Sequence, residues 1–515
     1  MDTKALRQKI LDLAIRGKLV PQDPADEPAA VLLERIRAEK QQMVKDGKLK
    51  AKDIKNDTVI YVGEDNLHYE KFSDGTVKCI EDEIPFEIPD SWAWARFSNI
   101  LELLSGQDLT PDRYNDSSIG IPYITGASNL LDGKVVINRW TPSPTTHATA
   151  GDLLLTVKGS GVGKMAFFDL PDAHIARQIM ALRCNPNIYR LYLAVLVPAI
   201  VSNLTSKANG IIPGISRDTI LKELVPIPPF AEQKRIYGTV KDLVDLINQI
   251  DKKRDLLEET ISIVKAKILD LAIRGKLVPQ DPADEPASVL LERIRADKEE
   301  QIKAGKIKRD KKESFIFRGE DNSYYEKIGD EVHCIDSEIP YTIPGSWTWC
   351  RGWSCFKEQE AVTPPAGSFL YIDIDSIDNT RHVIARPKTL DGADAPSRAR
   401  RRIQTGSVVF SLVRPYLENI ALVSDAHSGG IASTGFYVCT SEGMMIPSYM
   451  FLLMTSRYVV HGLNQFMKGD NSPSISKNDI EQWLYPIPPI CEQQKISKAV
   501  DHFFELIQKI EQSLN

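Results

Sequence analysis

Residues 231–275 read AEQKRIYGTVKDLVDLINQIDKKRDLLEETISIVKAKILDLAIRG, a stretch without proline or any cluster of turn residues. Within it Ile236, Val240, Leu243, Ile247, Ile250, Arg254, Leu257, Ile261, Val264, Ile268 and Leu271 follow one another at spacings of four and three, and ten of the eleven are apolar. This is an a/d heptad seam with charged residues on the other faces, and it predicts one helix about 65 to 70 Å long. Left in water, ten large apolar side chains would forfeit very roughly 15 to 25 kcal/mol, so the seam requires a partner.

The partner is written elsewhere in the chain. Moved by 260 positions, the first six seam residues become Ile496, Val500, Phe503, Ile507, Ile510 and Leu514. Moved by 258 the other way, Val264, Ile268 and Leu271 become Leu6, Ile10 and Leu13. The second copy of the long helix is thus cut in two, one part at each terminus, as in a circular two-fold repeat opened inside a helix. The reading predicts that both termini lie close together and pack antiparallel on the central helix.

A second repeat supports the first. Residues 9–40 and 267–298 are identical at 30 of 32 positions, differing only at Ala30/Ser288 and Glu39/Asp297. In each copy a helix ends at a basic residue and glycine (Arg16-Gly17, Arg274-Gly275), KLVPQDPADEP forms a rigid elbow, and a shorter helix starts at Pro28 or Pro286 and runs to Gly47 or Gly305. GEDNLHYEK at 63 then matches GEDNSYYEK at 319, and EIPFEIPDSWAWAR at 83 matches EIPYTIPGSWTWCR at 338. LVPIPPFAEQKRI (224–236) and LYPIPPICEQQKI (484–496) close the two copies. Between these frames, 97–223 and 356–483 agree only sparsely, in a glycine-headed β-rich run at 151 and 406 and in a late SxxxI pattern at 216 and 476.

The expected organisation is a helical repeat (1–55), a first mixed domain (56–229), a central helical spacer (230–313), a second mixed domain (314–489) and a C-terminal helix (490–515) that pairs with the central one. The expected class is α+β: two mixed α/β domains in pseudo-two-fold, circular arrangement, separated by long antiparallel coiled-coil helices. A frame kept almost identical suggests one partner met twice, and diverged domains suggest two different targets.

With 515 residues, 42% apolar and 26% charged, the chain has the composition of a soluble globular protein. The N-terminus is charged from the start, and the longest apolar run, 191–201, contains Pro198, so neither a signal peptide nor a membrane span is expected. Seven cysteines without a CxxC pair read as structural thiols of a reduced, cytoplasmic protein without a metal site.

Enzymatic motifs are lacking. GSGVGK (159–164) is not a P-loop, because Lys158 and Met165 stand where glycine and Ser/Thr are needed. It reads either as a β-turn with glycines at positive φ or as a backbone-exposing, lysine-flanked loop that approaches a nucleic-acid phosphate. IPPF and IPPI lack the Asp or Asn of an amino-methylating DNA methyltransferase and sit at helix starts.

The net charge of −6 argues against nucleic acid as a whole, but residues 92–229 hold 12 Lys+Arg against 10 Asp+Glu, and 347–489 hold 13 against 13. The acidic excess therefore lies in the frames. In the second domain Arg398, Arg400, Arg401 and Arg402 form either a solvated loop or, with Arg414, Tyr416 and Lys468, a DNA contact; arginine's fork suits phosphate and the O6/N7 edge of guanine. In the first the corresponding candidates are Lys158, Ser160, Lys164, Arg177, Gln178, Lys207, Asn209 and Arg217, although Arg177-Gln178 also reads as a solvent-facing strand. No catalytic constellation stands out.

AIRGKLVPQDPADEPASVLLERIR, the IPxxIPxSWxW and PIPPxxEQ motifs and the two-fold layout resemble the specificity subunit of type I restriction-modification systems, over essentially the whole chain. The resemblance implies a non-catalytic, DNA-binding subunit whose two target-recognition domains each read half of a split, asymmetric site, with the helices as spacer. It implies docking of two methyltransferase subunits on the frames and of restriction motor subunits beyond them, with S-adenosylmethionine and ATP belonging to those partners. A coiled-coil scaffold whose two domains bind proteins is the alternative.

Overall fold

The computed structural model describes residues 2–51, 54–206, 214–307, 313–357 and 361–514, and the chain divides into two compact units, Met1–Lys253 and Arg254–Asn515. Both contain helices and sheets, giving an α+β protein.

In the first unit the helix Thr3–Ile15 is capped by Asp2, whose carboxylate accepts from Ala5 N–H at 2.9 Å. It ends where Gly17 takes φ +66°, so that Lys18 N–H reaches back to Leu13 O at 2.9 Å. A side chain at Gly17 would meet Pro89 Cγ at 2.4 Å, which ties this glycine to the IPDSW segment laid over it. The next helix, Ala29–Lys45, starts directly after Pro28 and buries Ala29, Leu32 and Ile36 at one-turn spacing. It stops two residues before the expected Gly47, which adopts φ +72° as the terminator.

A three-stranded antiparallel meander follows (Val59–Val62, His68–Lys71, Val77–Cys79). The SWAWAR and LVPI motifs, 130 residues apart in sequence, then pair with each other: Ala93–Arg96 and Leu224–Ile227 run antiparallel from Ala93↔Ile227 to Arg96↔Leu224. The domain body is strung between these two strands. It holds a four-stranded antiparallel sheet, ordered Met165–Phe167, Leu153–Thr156, Ile179–Cys184, Leu101–Ser105, and a second sheet whose inner pair, Asp172–Ile175 and Ile121–Ile124, is parallel.

The second unit repeats this plan. Thr348–Arg351 pairs with Leu484–Ile487, Val408–Ser411 lies between Ile420–Leu422 and Phe436–Cys439, and Ser368–Ile372 runs parallel to Ile431–Ser433. The sparse SxxxI match encodes a capped short helix in both. Ser216 accepts from Thr219 N–H and Ser476 from Asp479 N–H, while Ile220 and Ile480 are buried one turn on.

The frames lock through their own motifs. Glu232 and Gln233 of the AEQK segment are buried at the start of the long helix. Glu232 accepts from Trp92 Nε1 at 3.0 Å and from Gln22 of the elbow at 2.7 Å, while Gln233 accepts from Tyr189 N–H and donates to Pro228 O. Glu492 and Gln493 repeat the arrangement with Trp347, Gln280, Ile446 N–H and Pro488 O. Elbow, SW motif and EQ motif are therefore one interlocking joint, which accounts for their repetition as a set.

The long helix runs unbroken over Phe230–Ile273. Its first half belongs to the first unit, where Ile236, Val240 and Ile247 join Ile10, Ala14 and Leu32 in one core and Leu243 packs beside them. Arg7 there donates to Asn248 and Asp251, both at 2.8 Å. Its second half belongs to the second unit, where Ile261, Ile268 and Ala272 share a core with Ile496, Val500 and Ile507 of the C-terminal helix Ile490–Leu514, and Lys265 pairs with Glu511 at 2.7 Å. Ile250, Leu257 and Leu271 are half-buried.

Val264 departs from the expected seam, being 41% exposed. At about 100° per residue a straight helix turns Val264 roughly 80° away from Ile236, whereas Ile261, Ile268 and Ala272 stay within about 40°. The buried stripe follows the 3.6-residue period of the helix and leaves the heptad of the sequence behind.

Candidate nucleic-acid interface

In the first unit Leu153–Thr156 passes through Val157 and Lys158 into the GSGVGK turn and returns as Met165–Phe167. The turn is closed by bonds from Thr156 N–H to Lys164 O (2.8 Å) and from Gly163 N–H to Thr156 O (2.9 Å). Gly159 and Gly163 stand at φ +90° and +93°, the left-handed region that glycine enters without penalty. Val157 is then held on both sides, its N–H by Gln178 O at 2.8 Å and its carbonyl by Ile215 N–H at 2.9 Å. Gly126 completes the surface, since a Cβ there would lie 2.6 Å from Gln178 Oε1, and one at Gly161 would lie 2.2 Å from Ala127 Cβ.

Lys158, Ser160, Lys164, Arg177 and Gln178 are exposed around this tip. Arg177 is paired with Asp108 at 2.7 Å. GSGVGK is a tight turn, as the first reading has it, and the lysines on either side of it are exposed. Arg217 differs from the others: it opens the short helix Arg217–Lys222, and its guanidinium donates to the Leu103 carbonyl, which ties it into the domain body. Lys207 and Asn209 lie outside the described residues.

The second unit places different residues on the same skeleton. Leu412 N–H bonds to Gly435 O at 2.8 Å and Leu412 O accepts from Ile475 N–H at 2.9 Å, so Leu412, Gly435 and Ile475 occupy the places of Val157, Gln178 and Ile215. Two residues on, Arg414 stands where Gly159 stands and takes φ +47° despite its side chain. It is anchored by its N–H to Pro473 O at 2.8 Å and by Nη2 to Asn471 O at 2.9 Å. Tyr416 follows at 46% exposure, and exposed Lys468 pairs through its backbone with Ser474, so Arg414, Tyr416 and Lys468 meet at one tip.

Most of the arginine run lies in a strand, with Arg398 in the turn before it. Ala399–Arg402 is an edge strand paired with Ile431–Ser433, with an irregular register between Ala399 and Arg401. Arg398, Arg400 and Arg402 are exposed and Arg401 is half-buried. Arg400 leans on Ser397 O and Thr363 Oγ1. Arg398 O accepts from Thr434 N–H at 2.8 Å, beside Gly435, which joins this strand to the tip.

Sequence reasoning missed the hairpins that flank each tip. Ile377–Asp378 and Val383–Ile384 form one, with exposed Arg381 at its turn and Asn379 donating to Leu417 O at 2.7 Å. Leu130–Leu131 and Lys134–Val135 form the other around Asp132-Gly133, a hairpin signal legible in the sequence. His174 leads towards Arg177; burial lowers its pKa, against the opposing pull of the Gln107 carbonyl 2.9 Å from its Nε2.

These tips offer cations, amides and hydroxyls for binding. Among the described residues no group of three or more His, Cys, Asp or Glu is placed to hold a metal ion, and no helix is long and apolar enough to cross a membrane. Fold and site thus define a two-unit α+β protein with a cationic loop cluster on each unit.

Residues 89–259 match the family model described as the type I restriction modification DNA specificity domain. The chain is 26% identical to the EcoAI specificity subunit of Escherichia coli over 98% of this chain and 90% of that protein, and equally close to the EcoEI specificity subunit of the same organism over 99% and 90%. Among solved structures, the HsdS subunit from Thermoanaerobacter tengcongensis is 36% identical over 34% of this chain and 46% of that one, with a TM-score of 0.32. The S subunit from M. genitalium is 11% identical over 83% and 94%, with a TM-score of 0.30. The chain is thus similar, over nearly its whole length, to type I restriction enzyme specificity subunits.

Proposed function

We propose that this chain is the sequence-reading subunit of a type I restriction-modification complex, with each unit reading one half of an asymmetric, two-part DNA site. The observation that carries the reading is the pair of tips. Identical backbone bonds hold Val157 and Leu412, yet the residues presented are Lys158, Ser160 and Lys164 in one unit and Arg414, Tyr416 and Lys468 in the other. A common skeleton with different cationic and hydrogen-bonding groups suits two half-sites of different sequence. Phosphate contacts by the lysines would position the duplex, and arginine and Gln178 would read base edges.

In this reading the two repeats form the pseudo-two-fold, circular arrangement that the halved terminal helix suggests, and the long helix sets the gap between half-sites. Two methyltransferase subunits dock on the repeated frames and restriction subunits join the assembly. S-adenosylmethionine and ATP are bound by those partners, and this chain contributes recognition without a catalytic step.

The test is methylome sequencing of a host that carries this chain with its methyltransferase subunit, beside a chimera in which residues 97–223 are replaced by those of another specificity subunit. A two-part methylated motif is expected, with only one half altered in the chimera. Methylation without sequence preference, or a chimera that alters both halves, refutes the reading.

A further inference from the structure

The two units share a second feature, distant in sequence from the tips. A cleft opens between the helix after the elbow and the outer strand of the small meander, about 190 Å³ in the first unit and about 240 Å³ in the second. Its walls correspond position by position: Leu33 with Leu291, Glu34 with Glu292, Arg37 with Arg295, Thr58 with Ser314 and Trp94 with Trp349. At the lip stand Tyr61, 41% exposed, and Phe317, 37% exposed. Each is stacked on the neighbouring strand's tyrosine, Tyr69 or Tyr325, with ring centroids 5.9 Å apart in both units. Clefts of this size fall below the roughly 300–1,000 Å³ of small-molecule sites and suit one bulky side chain.

Charge narrows the occupant. Residues 57–83 hold eight acidic and two basic side chains, and residues 313–338 hold the same numbers. Inner carboxylates are neutralised within the fold, Glu70 and Glu83 by Arg96 and Glu326 and Glu338 by Arg351. Glu64, Asp65, Asp74 and Asp82 remain on the surface of the first meander, and Glu320, Asp321, Asp330, Glu331 and Asp336 on that of the second. An acidic rim repels a phosphate backbone and attracts a cationic peptide. The tips diverged, while these clefts kept their acid, their arginine, their tryptophan and an aromatic lip, which suits one kind of occupant in both units.

We propose that each cleft is a docking site for a partner-protein segment that inserts one bulky apolar residue beside the Tyr61 or Phe317 lip and sets flanking Lys or Arg against the acidic meander. The partner's identity, the methyltransferase subunit, rests on the function proposed above; the clefts and their chemistry do not.

Exposed positions allow a test that spares the core. The full chain, E34K/Y61K, E292K/F317K and the fourfold variant are titrated with the purified methyltransferase subunit of the same restriction system and weighed by native mass spectrometry, with thermal melting as a check on folding. The expected stoichiometry is two for the unaltered chain, one for each double variant, and none for the fourfold variant at concentrations that saturate the unaltered chain. Two copies bound to the fourfold variant with unchanged affinity overturn the docking site and leave DNA reading intact. A loss of duplex binding with unchanged uptake of the subunit places nucleic acid on this face and also overturns it. An unaltered chain that selects its duplex but takes up no methyltransferase subunit refutes the partner, whereas one without duplex preference refutes the function itself.

Discussion

Trp92 Nε1 donates to Glu232 Oε2 at 3.0 Å inside the joint that fastens the start of the long helix to the elbow. The carboxylate is fully buried, and loss of hydration raises its pKa above the usual glutamate value in spite of the bonds from Trp92 and Gln22. A group whose folded pKa is raised contributes its stability below the unfolded pKa, and that contribution is lost as pH rises through the folded value. Glu232→Gln keeps the shape and cannot ionise. Its melting temperature relative to the unaltered chain is expected to improve as pH is raised from 4 to 7, as read by scanning calorimetry. Glu232→Ala leaves Trp92 and Gln22 without their acceptor and is expected to cost about 1 to 3 kcal/mol.

Gly17 and Gly275 should behave as twins. They sit at φ +66° and +67°, and a Cβ on either would meet Pro89 or Pro344 at 2.4 Å. The left-handed conformation alone costs an alanine about 1 to 2 kcal/mol, and the overlap with the proline ring adds to it. Gly17→Ala and Gly275→Ala are each expected to lower the stability of their own unit by about 2 kcal/mol or more, seen as denaturant midpoints shifted in the same direction.

The long helix offers a contrast between period and pattern. Ile268 is buried and Val264 is 41% exposed, although both occupy heptad seam positions. Ile268→Ala is expected to cost about 2 to 4 kcal/mol and Val264→Ala under about 0.5 kcal/mol. Comparable costs would restore the heptad as the packing rule.

At the first tip, exposed Lys158 and Lys164 flank a turn that carries no base-reading side chain between them except Ser160. As phosphate contacts they act without regard to sequence. Lys158→Ala and Lys164→Ala are each expected to weaken every duplex alike and to reduce the slope of log K against log salt by about 1. Gln178→Ala should instead relax selection at one position, since a good base contact is worth about 1 to 3 kcal/mol of discrimination. Fluorescence anisotropy across a salt series on matched and mismatched duplexes separates the two behaviours.

The frame was the legible part of the sequence, because its signals are local and doubled. Proline elbows, terminating glycines and the unbroken helix each act within a few residues, and a second copy repeats them. The Trp92–Glu232 joint, by contrast, links residues 140 apart, and neither carries a local signal for the other. The domain bodies are legible only as mixed α/β, without the bounds of their strands. Their strands are short, down to two residues at Leu130–Leu131, so alternation of polar and apolar residues has no length in which to show. The arginine run is a related case: charge alone leaves Arg398 to Arg402 open as a loop or a DNA contact, and only hydrogen bonding to Ile431–Ser433 makes Ala399–Arg402 an edge strand. Lys158, Lys164 and Gln178 converge because backbone bonds at Val157 bring three separate segments together, a long-range event that no spacing announces.

Arg414 allows fold and function to be separated at one residue. Its backbone takes φ +47° at the position where the first unit has Gly159, so the arginine bears a strain that glycine would not. In return its guanidinium stands exposed at the tip, with Nη2 on Asn471 O. Arg414→Gly relieves about 1 kcal/mol of backbone strain and removes a surface hydrogen bond worth about as much, so thermal stability should hold within about 1 kcal/mol. A residue kept only for structure would show nothing further. If Arg414 reads DNA, the variant should bind its duplex at least tenfold more weakly, with discrimination lost in the half-site of the second unit and retained in that of the first. Anisotropy with duplexes mutated one half at a time gives the answer, and equal discrimination in both halves would remove Arg414 from the interface.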